Sequence, residues 1–119
     1  MHLIARAFSV QALVRRRNRA ERLLIENLDA RQRRDYESRG YFYVVGGTTG
    51  KQYRIRYGKI LNVEEVRPNG EPLSALCFLP KSFVPAADVM LAQKLALELF
   101  EPSTLAVAFR CWPSKVCLP

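Results

Sequence analysis

Residues 85–100 contain the feature that most constrains the fold, a helical segment that is apolar on almost every side. Nine of its last twelve residues are apolar, and none of those twelve is Gly or Pro. The apolar positions recur at the helical period and form a wide stripe, made of Leu91, Ala92, Leu95, Ala96, Leu99 and Phe100. Lys94, Glu98 and Glu101 are expected to form a narrow polar strip. Such a helix must be covered on more than one side, so we predict that it docks against other elements.

The length and composition are those of one globular domain. A chain of 119 residues buries roughly two-thirds of its extended surface on folding. Its residues are 49% apolar and 25% charged, which is ordinary for such a domain. No apolar run approaches the roughly 20 residues of a membrane-spanning helix, so we expect no membrane span.

The three cysteines, Cys77, Cys111 and Cys117, are an odd number and lack C-x-x-C spacing. We therefore predict free thiols, because disulfide frameworks belong mainly to oxidising compartments. Cys77 alternates with apolar residues in a strand and is expected to be a small core residue. The pattern favours a reducing compartment and a cytoplasmic location.

The net charge of +8 is unevenly distributed. Residues 1–20 contain five arginines and no acidic residue, whereas residues 21–40 contain five basic and five acidic residues. Most of the excess charge therefore lies at the start of the chain. An anionic partner such as nucleic acid or a lipid surface would suit it. The alternative is that the charge serves solubility alone.

Residues 1–28 are predicted to form a basic amphipathic helix, set apart from a compact domain of residues 29–110 and an irregular tail of residues 111–119. Asn18, followed three residues later by Glu21, matches a capping box and indicates a break near that point. The apolar stripe has spacings of four and three and consists of Leu3, Ala7, Val10 and Val14. It is interrupted by a basic cluster of Arg15, Arg16, Arg17 and Arg19.

Three interpretations of this first segment stay open. A basic, acid-free, amphipathic start is typical of an organelle-import presequence, although Ser9 is its only serine. Alternatively, the arginine cluster is a phosphate-binding patch. The third interpretation is a solvated helix face or a mobile terminus.

The remaining pattern predicts an α+β fold. Asp29 and Gln32 form a capping box that opens a helix, and Gly40 ends it. The period then changes to two, with predicted strands at 41–45, 52–57, 60–67 and 72–79 joined by short turns. These strands form a four-stranded antiparallel meander, and the long C-terminal helix packs on the sheet. Buried contacts are expected between Leu91, Ala92, Leu95, Leu99 and Phe100 of the helix and Tyr53, Ile55, Val63 and Cys77 of the strands.

Four strings resemble a group of small uncharacterised bacterial and phage-associated proteins. They are Y-F-Y-V-V-G-G-T-T-G-K-Q-Y-R-I-R-Y-G at 41–58, N-V at 62–63, L-C-F-L-P at 76–80 and D-V-M-L-A-Q-K-L-A-L-E at 88–98. The similarity extends over roughly residues 23–109. It implies a bacterial cytoplasmic or phage setting, and it carries no activity, cofactor or site residue that transfers to this chain.

The residues do not compose a known catalytic motif, and we predict that the protein is not an enzyme and needs no cofactor or metal. The only histidine is His2. Residues 46–51 read Gly-Gly-Thr-Thr-Gly-Lys, but no helix follows them, so a hairpin turn is favoured over a phosphate loop. Glu64 and Glu65 are adjacent on a strand and therefore point to opposite faces, which excludes a cooperating pair.

Nucleic-acid binding is the leading functional hypothesis, with contacts to DNA or RNA phosphates and little sequence preference. Its candidate residues are Arg15, Arg16, Arg17, Arg19, Arg54, Arg56 and Lys59. The rival hypothesis is an assembly module that pairs with a second copy or another protein. Its contacts would come from the stripe Leu3, Ala7, Val10 and Val14.

Overall fold

The structure, a computed structural model, describes the backbone of residues 2–78, 84–111 and 117–118 and the side chains of residues 10–78 and 84–111. It confirms the α+β class, with helices packed on an antiparallel sheet. The helices are α1 (His2–Glu26), α2 (Ala30–Arg39), α3 (Ala86–Leu99) and α4 (Glu101–Val107). The strands are β1 (Tyr41–Val45), β2 (Gln52–Arg56), β3 (Val63–Val66), β4 (Pro72–Cys77), β5 (Phe109–Cys111) and β6 (Cys117–Leu118).

The sheet follows the chain order, and each strand pairs antiparallel with the next. The predicted meander is present as β1 to β4, but the sheet continues through β5 and β6. The predictions of four strands and of a C-terminal position for the long helix are therefore wrong in detail. The physical reason is length, because a strand of three residues such as β5 is too short to show the period of two.

Local signals set the element boundaries of the first half of the meander. The Asp29 side chain accepts from the Gln32 backbone N–H at 2.8 Å, and the Gln32 side chain accepts from the Asp29 N–H at 3.0 Å. Gly40 ends α2 in the left-handed conformation with φ of 76°. Gly70, also left-handed, donates to the Arg67 carbonyl in the turn between β3 and β4. The capping box, the glycine cap and this turn are as predicted.

Helix α1 is continuous across Asn18, so the predicted break there is wrong. Its second half enters the core, where Ala20 and Leu24 are buried, together with Leu28 after the helix ends. The hydroxyl of Tyr36 in α2 donates to the Glu21 carboxylate at 2.7 Å. The Glu21 side chain therefore holds α2 rather than capping a new helix.

Helix α3 docks through a different face from the one its leucine stripe predicts. Leu91 is buried as expected, and so are Tyr53, Ile55, Val63 and Cys77. The predicted burial of Ala92, Leu95, Leu99 and Phe100 is wrong, since all four are exposed. The face that contacts the sheet and α1 instead carries Ala87, Met90, Leu91, Gln93, Lys94 and Leu97.

Polar pairing explains why the docked face is not the most apolar one. Gln93 exchanges two hydrogen bonds with Asn62, at 2.7 and 3.0 Å, and both side chains are buried. Lys94 pairs with Glu98 one turn later, at 2.9 Å. Buried amides and ammonium groups are tolerated when they are paired in this way. The predicted polar strip is therefore wrong for Lys94 and for Glu101, which is fully buried.

The cysteines divide into two classes. Cys77 is free and buried, as predicted. Cys111 is disulfide-bonded, so the prediction of free thiols is wrong at that residue. The backbones of Cys111 and Cys117 lie opposite each other where β5 pairs with β6. No sequence periodicity indicated this pairing, and the disulfide removes cysteine usage as an argument for a reducing compartment.

Candidate nucleic-acid interface

The arginine cluster of α1 lies on the part of the helix that has not entered the core. Among the residues whose side chains the structure describes, residues 10–19 are all exposed, and the first buried one is Ala20. Within the described part of the chain, no hydrogen bond or ion pair engages Arg15, Arg16, Arg17 or Arg19. Four guanidinium groups within five residues therefore face solvent with their donors available. Such an array suits phosphate oxygens, which accept from guanidinium groups in bidentate fashion.

The same half of α1 also exposes apolar side chains. Val10 and Leu13 are 59% and 58% exposed, and Val14 is 40% exposed. Positions 10, 13 and 14 share a helix face with positions 17, 20 and 24, so this stripe is buried from Ala20 onwards and uncovered before it. The side chains of Leu3 and Ala7, which the sequence placed on this stripe, lie outside the described residues. The helix therefore presents both charge and apolar surface.

The strand arginines are less available than those of α1. The Arg54 Nη2 donates to Glu64 Oε2 at 3.0 Å, and its guanidinium lies 5.3 Å from the centre of the Tyr41 ring. Arg56 forms an ion pair with the other oxygen of the same carboxylate. The side chain of Arg54 is only 12% exposed, whereas that of Arg56 is 52% exposed. Glu64 thus offsets much of the positive charge on this face of the sheet.

Lys59 lies in the loop between β2 and β3 and is half-buried. No hydrogen bond or ion pair to another described residue involves its side chain. Tyr41 and Tyr43 face the same side of the sheet as Arg54, with their rings edge-to-face at 5.7 Å. The structure therefore places Arg15, Arg16, Arg17 and Arg19 on one helix, Arg54 and Arg56 on one strand with Glu64 between their guanidinium groups, and Lys59 in the loop that follows this strand.

The loop between β1 and β2, whose sequence resembles a phosphate-binding loop, already binds the carboxylate of Glu101. The backbone N–H groups of Thr48 and Thr49 donate to one oxygen of Glu101, at 3.0 and 2.8 Å. The hydroxyls of Thr49 and Tyr53 donate to its other oxygen, both at 2.6 Å. These N–H donors are occupied by a carboxylate and are not open to a phosphate. Residues 46–50 form a hairpin loop, as predicted.

Two glycines let this loop approach the helical layer. The Gly47 N–H donates to the Leu97 carbonyl at 3.1 Å, near the end of α3. A Cβ atom at Gly46 would overlap the Glu101 carboxylate, and one at Gly47 would overlap the Glu98 carbonyl. The loop needs glycine here because of close contact rather than because of backbone angle.

Electrostatics favours the ionised form of Glu101. Burial alone would raise the pKa of this carboxyl, but the four hydrogen bonds outweigh it and lower the pKa to about 2. Burial and the Glu101 carboxylate together raise the pKa of Tyr53. Sequence analysis missed this cluster, because Glu101 and the loop are about fifty residues apart. The only local signal was an acidic residue immediately before Pro102 at a helix start.

The described residues show neither a metal-binding cluster nor a helix suited to a bilayer. Among them, no three His, Cys, Asp or Glu side chains converge in a way that would hold a metal ion. None of their helices combines the length and the hydropathy needed to cross a membrane.

Comparison with known proteins adds no further constraint on this site. No protein family matches the chain, and no curated protein or solved structure shows significant similarity to it. The resemblance to bacterial and phage-associated proteins stays a prediction.

Proposed function

We propose that the protein is a non-catalytic accessory protein that binds nucleic-acid phosphates through the arginine cluster of α1. The observation that carries this proposal is the set of four exposed arginines that have no hydrogen-bond or ion-pair partner among the described residues, on a helix segment that contains no acidic residue. Arg54 and Arg56 add less, because Glu64 neutralises part of their charge. Lys59 adds a single charge in the loop between β2 and β3. Contacts of this kind are made to the backbone, so sequence preference should be weak.

The proposal is tested by fluorescence anisotropy with single- and double-stranded oligonucleotides at two salt concentrations. If about four phosphates are neutralised, the logarithm of the affinity should fall with the logarithm of the salt concentration at a slope of about −3.6 on duplex DNA. Replacing Arg15, Arg16, Arg17 and Arg19 by Gln keeps good helix formers in α1 and removes the four charges. This variant should lose most of the affinity and most of the slope.

The control removes the same charge elsewhere. Arg22, Arg31, Arg34 and Arg67 are exposed residues outside the cluster, and their replacement by Gln gives the same net charge as the first variant. Affinity that falls equally in both variants would point to general charge rather than to the cluster. No binding by the intact chain at about 50 mM salt would remove the nucleic-acid proposal.

We propose self-assembly through the apolar stripe of α1 as the second candidate function. It is favoured by the exposure of Val10, Leu13 and Val14, since a stripe of this kind is normally covered. Leu3 and Ala7 extend the stripe in the sequence. Added salt separates the two candidates, because it weakens phosphate binding and leaves apolar pairing intact.

A further inference from the structure

An open apolar groove of about 460 Å³ lies between α3 and α4. The small side chains of Ala92 and Ala96 line it, together with the larger Phe78, Phe100 and Val107. Small residues of this kind let a second helix approach closely. Asp88 is the one charged side chain among the described residues that line the groove. The groove thus combines small and apolar lining side chains, which suit a helix, with one negative charge. This charge is that of Asp88 in the first turn of α3.

Further apolar side chains are exposed on the helices of the molecule. Of the 13 large apolar side chains exposed in the described residues, eight lie on α1, α3 or α4 or at residue 100 between α3 and α4. They are Val10, Leu13, Val14, Leu23, Leu95, Leu99, Phe100 and Val107. Leu99, Phe100 and Val107 are each more than 60% exposed. Phe100 and Val107 line the groove itself, and exposed apolar side chains beside an apolar groove are typical of a protein interaction site.

We infer that the occupant is a second copy of this chain, and that α1 of each copy places Val10, Leu13 and Val14 in the groove of the other. The inference rests on the second proposed function, pairing through α1, and adds the surface that receives the helix. Three observations select this partner over others: the matching charges, the position of the groove, and the reciprocity of the contact.

The charges and positions are complementary within one chain. Residues 10–19 of α1 are basic and include no acidic residue, whereas Asp88, the one charged side chain among the described residues that line the groove, is acidic. Asp88 also borders a depression formed by Arg16, Arg19, Ala20, Leu23 and Pro85. One end of the groove, at Asp88, therefore lies close to Ala20, where the buried part of α1 begins. A two-fold axis near this point would bring each free helix to the other groove, as an isologous dimer requires.

Reciprocal exchange also covers both apolar surfaces at once. Pairing of α1 with α1 would leave the groove of each copy open, and a small apolar ligand would leave the stripe of α1 uncovered. Exchange of the helices buries Leu13 of one copy and Ala92 of the other in the same contact. Burial of both surfaces gives the larger hydrophobic gain.

The experiment is sedimentation velocity on three variants of the full chain. Leu13→Glu places a carboxylate on the stripe, and Ala92→Glu places one in the groove. Ile60→Glu is the matched control, since Ile60 is 61% exposed and lies in the loop between β2 and β3. The intact chain and the control should sediment as dimers at micromolar concentration. Either interface variant should raise the dimer dissociation constant at least about tenfold.

Mixing the two interface variants provides the decisive measurement. In a mixed dimer, one helix–groove contact carries both glutamates, and the other contact is unaltered. The mixture should therefore form more dimer than either variant alone. A dimer that survives Ala92→Glu, with no gain on mixing, would overturn the groove assignment and leave α1-to-α1 pairing. A monomeric intact chain would overturn the second proposed function as well. If that monomer then bound anionic vesicles and Leu13→Glu abolished the binding, the apolar stripe of α1 would be a lipid-binding surface.

Discussion

At the scale of single residues, Glu101 is the side chain with the most demanding environment. It is fully buried at the first position of α4, and it accepts four hydrogen bonds from the hairpin loop and from Tyr53. Charge-assisted bonds of this type are stronger than neutral ones. One carboxylate thus joins the meander to the helical layer. Its role is structural, because its two oxygens accept the hydrogen bonds that the hairpin loop could otherwise donate to a phosphate.

We predict that Glu101→Gln lowers the free energy of unfolding by about 1–3 kcal/mol near neutral pH, because some donors lose their charged acceptor. The folded-state pKa of about 2 lies below the ordinary value of 4.5. The stabilisation is therefore present above about pH 4.5 and is lost as the pH falls towards 2. Urea unfolding at several pH values should show this loss in the natural chain and not in the variant.

Glu71→Gln is the control for this measurement, since Glu71 is exposed and its substitution changes the charge equally. It should leave both the stability and its pH dependence within about 0.5 kcal/mol of the original. An acid-induced loss that persists in Glu101→Gln would show that other carboxylates govern the pH response.

At the scale of elements, α3 shows that a helix can be apolar on two faces and dock with only one. The leucine stripe lies partly towards solvent, with Leu95 39% exposed and Leu99 66% exposed. The docked face contains Met90 and Leu97, which are fully buried, and Gln93, which hydrogen-bonds to Asn62. This rotation of the helix lets Gln93 pair with the buried amide of Asn62 while Met90 and Leu97 enter the core. The distribution of apolar residues around a helix does not by itself show which of two apolar faces will dock.

We predict that Leu97→Ala lowers the free energy of unfolding by about 2–5 kcal/mol, because it leaves a cavity in the core. Leu95→Ala should cost less than about 1 kcal/mol, since its side chain is already partly in water. Urea unfolding of both variants measures the contrast directly. Equal costs would mean that α3 is rotated towards its leucine stripe.

At the scale of the whole molecule, α1 belongs half to the core and half to the surface. Ala20 and Leu24 pack in the same core as the strands and α3. Residues 10–19 carry the arginine cluster and are exposed throughout. One continuous helix thus connects the folded body with the segment to which we assign both proposed functions. Stability and partner binding should therefore be separable by truncation.

We predict that a chain beginning at Ala20 unfolds cooperatively, with a free energy of unfolding within about 1 kcal/mol of the full chain when both are monomeric. A chain beginning at Asn27 lacks Leu24 and the Glu21 acceptor of Tyr36, so it should lose about 3 kcal/mol or more. Thermal and urea unfolding at low protein concentration test both. If the chain beginning at Ala20 failed to fold, residues 1–19 would be shown to contribute to the stability of the folded domain.

The sequence alone determined most features that depend on neighbours in the chain, although the capping-box pattern at Asn18 did not break α1. The capping box at Asp29, the glycine end of α2 and the strands of the meander follow from local propensity and from a period that changes from 3.6 to two. The charge excess of the first twenty residues was visible for the same reason. These signals involve residues that are only a few positions apart, so they can be read directly from the sequence.

The tertiary structure decided what depends on contacts between distant residues. The docked face of α3 includes the Asn62–Gln93 pair, Glu101 accepts hydrogen bonds from the hairpin loop about fifty residues away, and Glu64 offsets part of the charge of the strand arginines. Cross-strand pairing likewise placed Cys111 opposite Cys117. No periodicity reports such contacts, because their energy depends on the positions that the fold gives to both partners.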